Sequence, residues 1–209
     1  MKDLKKLLQQ NRLYFCLFLV SLLLGSICLY VFTKEDVTLW VNTNYSIFFD
    51  YFFWTMSFCG SFWGALLVVV ILWIWKSWRT SVNLIICIMT TNSIVMFLKH
   101  IIFPGTPRPT LYFDGIVDLR LLPWVEQLQT ESFPSGHTAA AFSIATFLAL
   151  SLSKKQYHGF LFLFALCVGY ARIYLSQHFI TDVYTGMAIG VVVTTLTYYV
   201  ILQYNKKLV

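Results

Sequence analysis

Charged side chains make up only 11% of this 209-residue sequence, against 58% hydrophobic. A soluble domain of that length could not bury so much apolar surface, so a bilayer must cover part of it. Low-complexity tracts and internal repeats are missing too, and residues 1–209 therefore read as a single domain. Cysteine is sparse: Cys16, Cys28, Cys59, Cys87 and Cys167 each fall inside apolar runs and show no metal-ligand spacing. They read as free buried thiols, and neither a metal nor a cofactor is expected. The five prolines all lie between residues 104 and 134.

What is abundant is long apolar runs. Six are of the length that crosses ~30 Å of hydrocarbon as helix: Leu13–Phe32, Tyr51–Trp75, Val82–Phe97, Thr138–Leu152, Tyr157–Tyr174 and Val183–Leu202. The third and fourth are short; the third is expected to continue towards Phe103 and the fourth to begin at Gly136. The fold class predicted is all-α, a polytopic membrane protein of six transmembrane helices. The first run is longer than a signal-peptide core and has no clear cleavage site, so it is expected to be retained.

Orientation follows from the loops. Lys2, Lys5, Lys6, Arg12, Lys76, Arg79, Lys154, Lys155, Lys206 and Lys207 all fall on one side of that layout. Positive residues near span ends stay cytoplasmic, which puts both termini there. The other five cations and eight of the nine acidic residues face outward. The net charge of +6 is thus divided among loops rather than gathered on one surface, which argues against a nucleic-acid partner.

One outward loop stands out, residues 104–134 between the third and fourth spans, with Asp114, Asp118, Glu126, Glu131, Arg108, Arg120 and Trp124. Long loops in compact proteins are functional or disordered. The Leu121–Val125 stretch is too apolar for a solvated tether, so an interfacial or re-entrant element is expected here. The segments around Lys34–Asp50 and Leu175–Ile180 read as shorter outward loops.

Ionisable residues at membrane depth are functional candidates, and Lys99, Arg108, His137, Arg172, His178 and Asp182 all fall near the outer ends of spans three to six. Phosphoryl transfer asks for such a set: cations for non-bridging oxygens, a nucleophile, and an acid for the leaving oxygen. Ser135 is placed to N-cap the fourth helix, leaving backbone N–H groups aimed at an anion, and Gly136 permits close backbone approach. If the sixth helix starts just before His178, Asp182 lies one turn on and orients its imidazole.

These residues resemble the type 2 phosphatidic acid phosphatases, whose site is shared with vanadium haloperoxidases. The first family motif is a lysine, six residues, then Arg-Pro; here eight residues intervene between Lys99 and Arg108-Pro109. Pro134-Ser135-Gly136-His137 matches the second motif intact. The third reads Ala171-Arg172, five residues, His178, three residues, Asp182, with alanine in place of the family serine. The resemblance covers essentially the whole chain and is of bacterial type.

It implies that His178 is the nucleophile forming a phosphohistidine, that Asp182 orients it and that His137 protonates the leaving group. Lys99, Arg108, Ser135, Gly136 and Arg172 would bind the phosphate. The expected activity is metal-independent hydrolysis of a lipid phosphate or diphosphate at the periplasmic face of a bacterial inner membrane. The substrate would be lipid A or undecaprenyl diphosphate, then phosphatidylglycerol phosphate, in contact with membrane lipids. A lipid phosphotransferase and a non-catalytic lipid or anion binder of the same fold are the alternatives; pure binding would not require His137, His178 and Asp182 together. His100 and His158 match no motif position and read as interfacial histidines. Gly186 and Gly190 read as a helix-packing face.

Overall fold

The computed structural model describes residues 2–207. Among these there is no strand. The helices run α1 (Lys2–Gln10), α2 (Arg12–Val31), α3 (Lys34–Thr43), α4 (Ile47–Cys59), α5 (Phe62–Trp75), α6 (Trp78–Phe97), α7 (Pro109–Tyr112), α8 (Gly136–Ser151), α9 (His158–Tyr174) and α10 (Ile180–Lys207). A π-turn, Leu98–Ile102, extends α6.

By length and apolarity, α2, α6 with its π-turn, α9 and α10 are each sufficient to cross a membrane, and α4 with α5 adds a fifth crossing if the bent pair is one span. The second run of the sequence is therefore not one straight helix. It breaks at Gly60, with a 60° bend, where Ser61 accepts from Gly64 N–H and starts α5 afresh. A side chain at Gly60 would meet Val168 Cγ1 at 2.6 Å and the His137 carbonyl oxygen at 2.9 Å, so the bend seats α4 directly against the start of α8.

The fourth run forms α8, which at 16 residues spans only ~24 Å. It is the central helix, buried along nearly its whole length with α6, α9 and α10 around it. Its small residues allow that closeness: Ala139, Ala140, Ala141, Ala145 and Ala149 are all buried, and small faces are how helices approach without a hydrophobic driving force between them. The glycines of α10 complete the fit, since a Cβ on Gly186 would lie 2.6 Å from Ser135 O and one on Gly190 2.6 Å from Ala139 O.

Two expected loops differ from what their sequence suggested. Residues 34–50 contain α3, closed by a reciprocal capping box between Thr33 and Asp36. The 104–134 segment holds one four-residue helix and is otherwise irregular, folded back on itself by Arg108 N–H to Gln129 O and Ser132 N–H to Thr106 O. Leu122 is buried with Val41, Phe53 and Ala171, and Trp124 stacks on Tyr51 at 5.5 Å, so this apolar stretch lies against α3, α4 and α9 rather than forming an interfacial helix.

At the opposite end of the bundle the basic residues cap helix termini. Lys76 donates to Ser151 O, and Lys155 to Ala149 O, Leu152 O and Asn11 Oδ1. These cations meet the negative end of the α8 dipole.

Candidate active site

The turn between α9 and α10 builds the centre of the site. After Tyr174 the chain reverses through Ser176, whose φ of 53° is left-handed, and the N–H groups of Gln177 and His178 both return to Arg172 O. Helix α10 begins only at Ile180, so His178 is not on the helix as the sequence spacing suggested. It is instead held by Asp182, whose Oδ2 accepts from Phe179 N–H at 3.0 Å and from His178 Nδ1 at 3.3 Å. An aspartate in the first turn of a helix favours such a cap.

The partners fix the tautomer. Arg108 Nη1 lies 3.3 Å from His178 Nε2, and because a guanidinium only donates, Nε2 is the accepting nitrogen and Nδ1 carries the hydrogen given to Asp182. His178 is buried to 1% exposure. Its pKa is pushed down to about 3, first by burial and then by Arg172 and Arg108, against the opposing pull of Asp182. The imidazole is therefore neutral, with a free lone pair on Nε2.

Three cations gather at the His178–Asp182 pair. Lys99 donates to Glu131 O at 2.7 Å, and Arg108 donates to Thr130 O, Glu131 O and Gln177 O. The two extra residues of the first motif have not separated these side chains, because the π-turn carries Lys99 to the carbonyl that Arg108 also contacts. Burial lowers the pKa of Arg108, with Asp182 and Glu131 opposing. Arg172, buried on α9, donates to Ser57 Oγ and Gln177 Oε1. Among the described residues its Nε is buried without a hydrogen-bond partner, and no carboxylate pairs with it. A buried donor without a partner costs stability.

Ser135 caps α8 as expected, accepting from Thr138 N–H, and its own N–H bonds to Asp182 O. That backbone link ties the start of α8 to the dyad. A Cβ at Gly136 would meet only Val95 Cγ1, at 3.8 Å, so no protein contact there demands glycine. His137 faces a cavity of about 490 Å³ that it lines together with Ser57, Arg172, Gln177, Trp54, Phe58 and Trp124. Its lining joins apolar Trp54, Phe58 and Trp124 to polar Ser57, His137, Arg172 and Gln177. His178 is buried and is not among the residues that line this cavity.

Three residues at the site carried no motif. Ser57 supplies the hydroxyl on Arg172, standing where alanine at 171 cannot. Gln177 places its amide oxygen 3.4 Å from Arg108 Nη1 and 3.5 Å from Arg172 Nη2. Ser132 reaches Asp182. Ser132 stands two residues before the second motif and Gln177 fills an arbitrary position of the third, but neither motif assigns them a role. His100 faces Glu131 at 3.6 Å, and His158 contacts Ala149 O at the far end of the bundle. Neither joins the cluster.

Comparisons with known proteins show the family. The PAP2 superfamily profile matches residues 80–206. The chain is 27% identical over 163 residues to the lipid A 4'-phosphatase of Bacteroides thetaiotaomicron, covering 74% of this chain and 71% of that protein. It is 39% identical over 75 residues to the lipid A 4'-phosphatase of Porphyromonas gingivalis, covering 36% of this chain but only 32% of the relative's length. Phosphatidylglycerophosphatase B of Bacillus subtilis is 30% identical over 114 residues, 46% of this chain and 54% of that one. The crystal structure of LpxE from Aquifex aeolicus superposes with a TM-score of 0.68 at 32% identity, over 78% of this chain and 93% of that chain. With its motif residues brought to one end of an integral membrane bundle, the chain belongs to the PAP2 superfamily.

Proposed function

We propose that this protein is a lipid phosphatase working through a phosphohistidine. In the reaction, His178 Nε2 attacks phosphorus, forming the N–P bond as the bond from phosphorus to the lipid oxygen breaks, and His137 gives that oxygen its proton. Water then attacks the phosphohistidine, His137 takes the proton, and inorganic phosphate leaves. Lys99, Arg108 and Arg172, with the α8 N-terminus at Ser135 and Gly136, hold the non-bridging oxygens; Arg108 Nη1 turns from Nε2 to one of them. Charge-assisted donors preorganised in a water-poor site are the largest contributors to such reactions.

The observation behind this reading is one pairing: a neutral imidazole with its lone pair fixed by Asp182, beside a buried arginine with an unmatched donor. The relatives named lipid A 4'-phosphatase favour a lipid A phosphate monoester as substrate. Undecaprenyl diphosphate comes next, and then phosphatidylglycerol phosphate, the class suggested by the Bacillus relative's name. The acyl chains stay in the bilayer while the phosphate enters past Trp54, Phe58 and Trp124. The division of Lys and Arg between the two ends of the bundle favours six crossings of a bacterial inner membrane, cytoplasmic termini and a periplasmic site.

Phosphate release by the detergent-purified protein from those three lipids, with and without EDTA, tests the reading. Wild type is expected to act on at least one of them and to keep its activity under EDTA, while His178→Ala loses it. Equal release by wild type and His178→Ala sinks the assignment.

A further inference from the structure

The loop delivers something to the dyad besides carbonyls for the cations. Ser132 is 1% exposed, and its hydroxyl sits 2.5 Å from Asp182 Oδ2 and 3.5 Å from His178 Nδ1. A carboxylate can only accept, so Ser132 donates. Asp182 Oδ2 thus takes three donors: Ser132 Oγ, Phe179 N–H and His178 Nδ1–H. Its other oxygen accepts from Thr181. Two of the three groups on Oδ2 belong to the α9–α10 turn itself; Ser132 alone comes from the loop.

The backbone arranges this delivery. Glu131 has φ 59°, the left-handed conformation that a non-glycine residue adopts at a cost, and it turns two consecutive residues inward for different purposes. The Glu131 carbonyl accepts from Lys99 and Arg108, and the next hydroxyl reaches Asp182. Ser132 N–H is anchored on Thr106 O, and Phe133 N–H on Thr106 Oγ1.

We propose that Ser132 is a positioning residue of the phosphoryl-transfer reaction, its hydroxyl holding the Asp182 carboxylate in the orientation that aims His178 Nε2 at phosphorus. This rests on the phosphatase reading. Without the hydroxyl, Asp182 keeps its helix-cap bond but loses a fixed point beyond the turn, and the imidazole it steers gains freedom. The phosphate-binding cations are untouched, so the loss falls on turnover rather than on substrate capture.

The test compares wild type, Ser132→Ala, Ser132→Thr and Ser132→Cys, all as full chain in detergent, on whichever of the three lipids above is hydrolysed fastest. Ser132→Ala is expected to lower kcat about ten- to a hundredfold, the effect of losing a hydrogen bond to a charged group, with KM changed less than about threefold. Ser132→Thr keeps the hydroxyl and is expected to recover most of kcat. Ser132→Cys, nearly isosteric with a weak donor, is expected to fall between, and it carries the test if the alanine variant does not fold. In an Asp182→Asn background, Ser132→Ala is expected to add little further loss, because its effect runs through that carboxylate. Wild-type kcat in Ser132→Ala or Ser132→Cys, a change confined to KM, or a full additional loss in the Asp182→Asn background each overturns the inference. Activity retained by His178→Ala would instead overturn the phosphatase reading, so the two failures are distinct.

Discussion

Two arginines in this molecule are built into opposite situations. Arg120, from the long loop, makes a bidentate pair with Asp50 of α4 at 2.6 and 3.0 Å, lies 3.8 Å over the Tyr45 ring, and shares Asp50 with Tyr174. Asp50 holds the Arg120 guanidinium above its usual pKa. Arg172, roughly 50 residues on, is buried with a serine and a glutamine oxygen, and its Nε has no partner among the described residues. A charge that only holds structure together is matched within the protein. One left short of a partner costs stability, and that cost makes sense where a ligand of opposite charge completes the set.

The contrast breaks most sharply at Arg172. Replacing it with methionine is expected to lower kcat/KM about a hundredfold or more, as two or more charge-assisted contacts to phosphate vanish. Its detergent melting temperature should hold or rise, because an uncompensated buried charge is removed. A melting temperature that falls along with activity would make Arg172 structural and erase the distinction.

Arg120→Ala should do the reverse. It leaves Asp50, 2% exposed, without its cation, and the expected loss is about 1–3 kcal/mol, reduced from the fully buried case because the guanidinium is partly solvated. The double variant Asp50→Leu with Arg120→Leu should be more stable than Arg120→Ala alone, measured by thermal unfolding in detergent. A double variant that is less stable would show that the network is worth more than the isolated charge costs.

Anion addition sharpens the same point with a smaller effect. Inorganic phosphate or orthovanadate is expected to raise the melting temperature of wild type and of Arg120→Ala in a concentration-dependent way, and to leave Arg172→Met unmoved. Equal shifts in all three chains would place the anion elsewhere.

Protonation gives a weaker handle. His178 binds its proton near pH 6.5 when unfolded but only near about 3 when folded. Between those values the unfolded chain holds more protons, so this contribution to stability is present above pH 6.5 and declines as pH falls. Melting temperature should drop from pH 7 to pH 5, and His178→Gln should flatten that slope. The smallest effect is expected at Glu131→Gly, which keeps the carbonyl facing Lys99 and Arg108 while relieving the left-handed backbone. Its kcat/KM should stay within about threefold of wild type, whereas Glu131→Val, which tolerates that conformation far less, should fall well below.

How much of this was legible in sequence follows from which interactions are local. The apolar runs mark α2, α6, α9 and α10 because a spanning helix needs little but length and hydropathy. The break at Gly60 is passed over in that reading, since apolar residues continue on both sides, and only the local Gly60-Ser61 pair, with Ser61 capping α5, marks it. α3 had a readable start in Thr33 and Asp36 but little hydropathy to suggest it.

The site divides the same way. Lys99, Arg108, His137, Arg172, His178 and Asp182 sit in spaced motifs, and the structure brings them to one end. Ser57, Gln177 and Ser132 contribute through single polar atoms whose value depends on what stands opposite, and spacing says nothing of that. Even the spacing of His178 and Asp182 pointed to the right contact for a different reason: a capped turn, with α10 starting at Ile180, rather than one face of a helix. Asp50 and Arg120, 70 residues apart, carry no pairing signal in sequence because only the fold brings them together.

The central claim is that a single imidazole takes the phosphoryl group. Rapid acid-free quenching of the enzyme with a radiolabelled lipid phosphate, followed by peptide mapping, tests it most directly. The account predicts an acid-labile, base-stable label on the peptide containing His178, absent from His178→Ala. Label on another residue, or steady turnover with no covalent label even when the second step is slowed by His137→Ala, would contradict it.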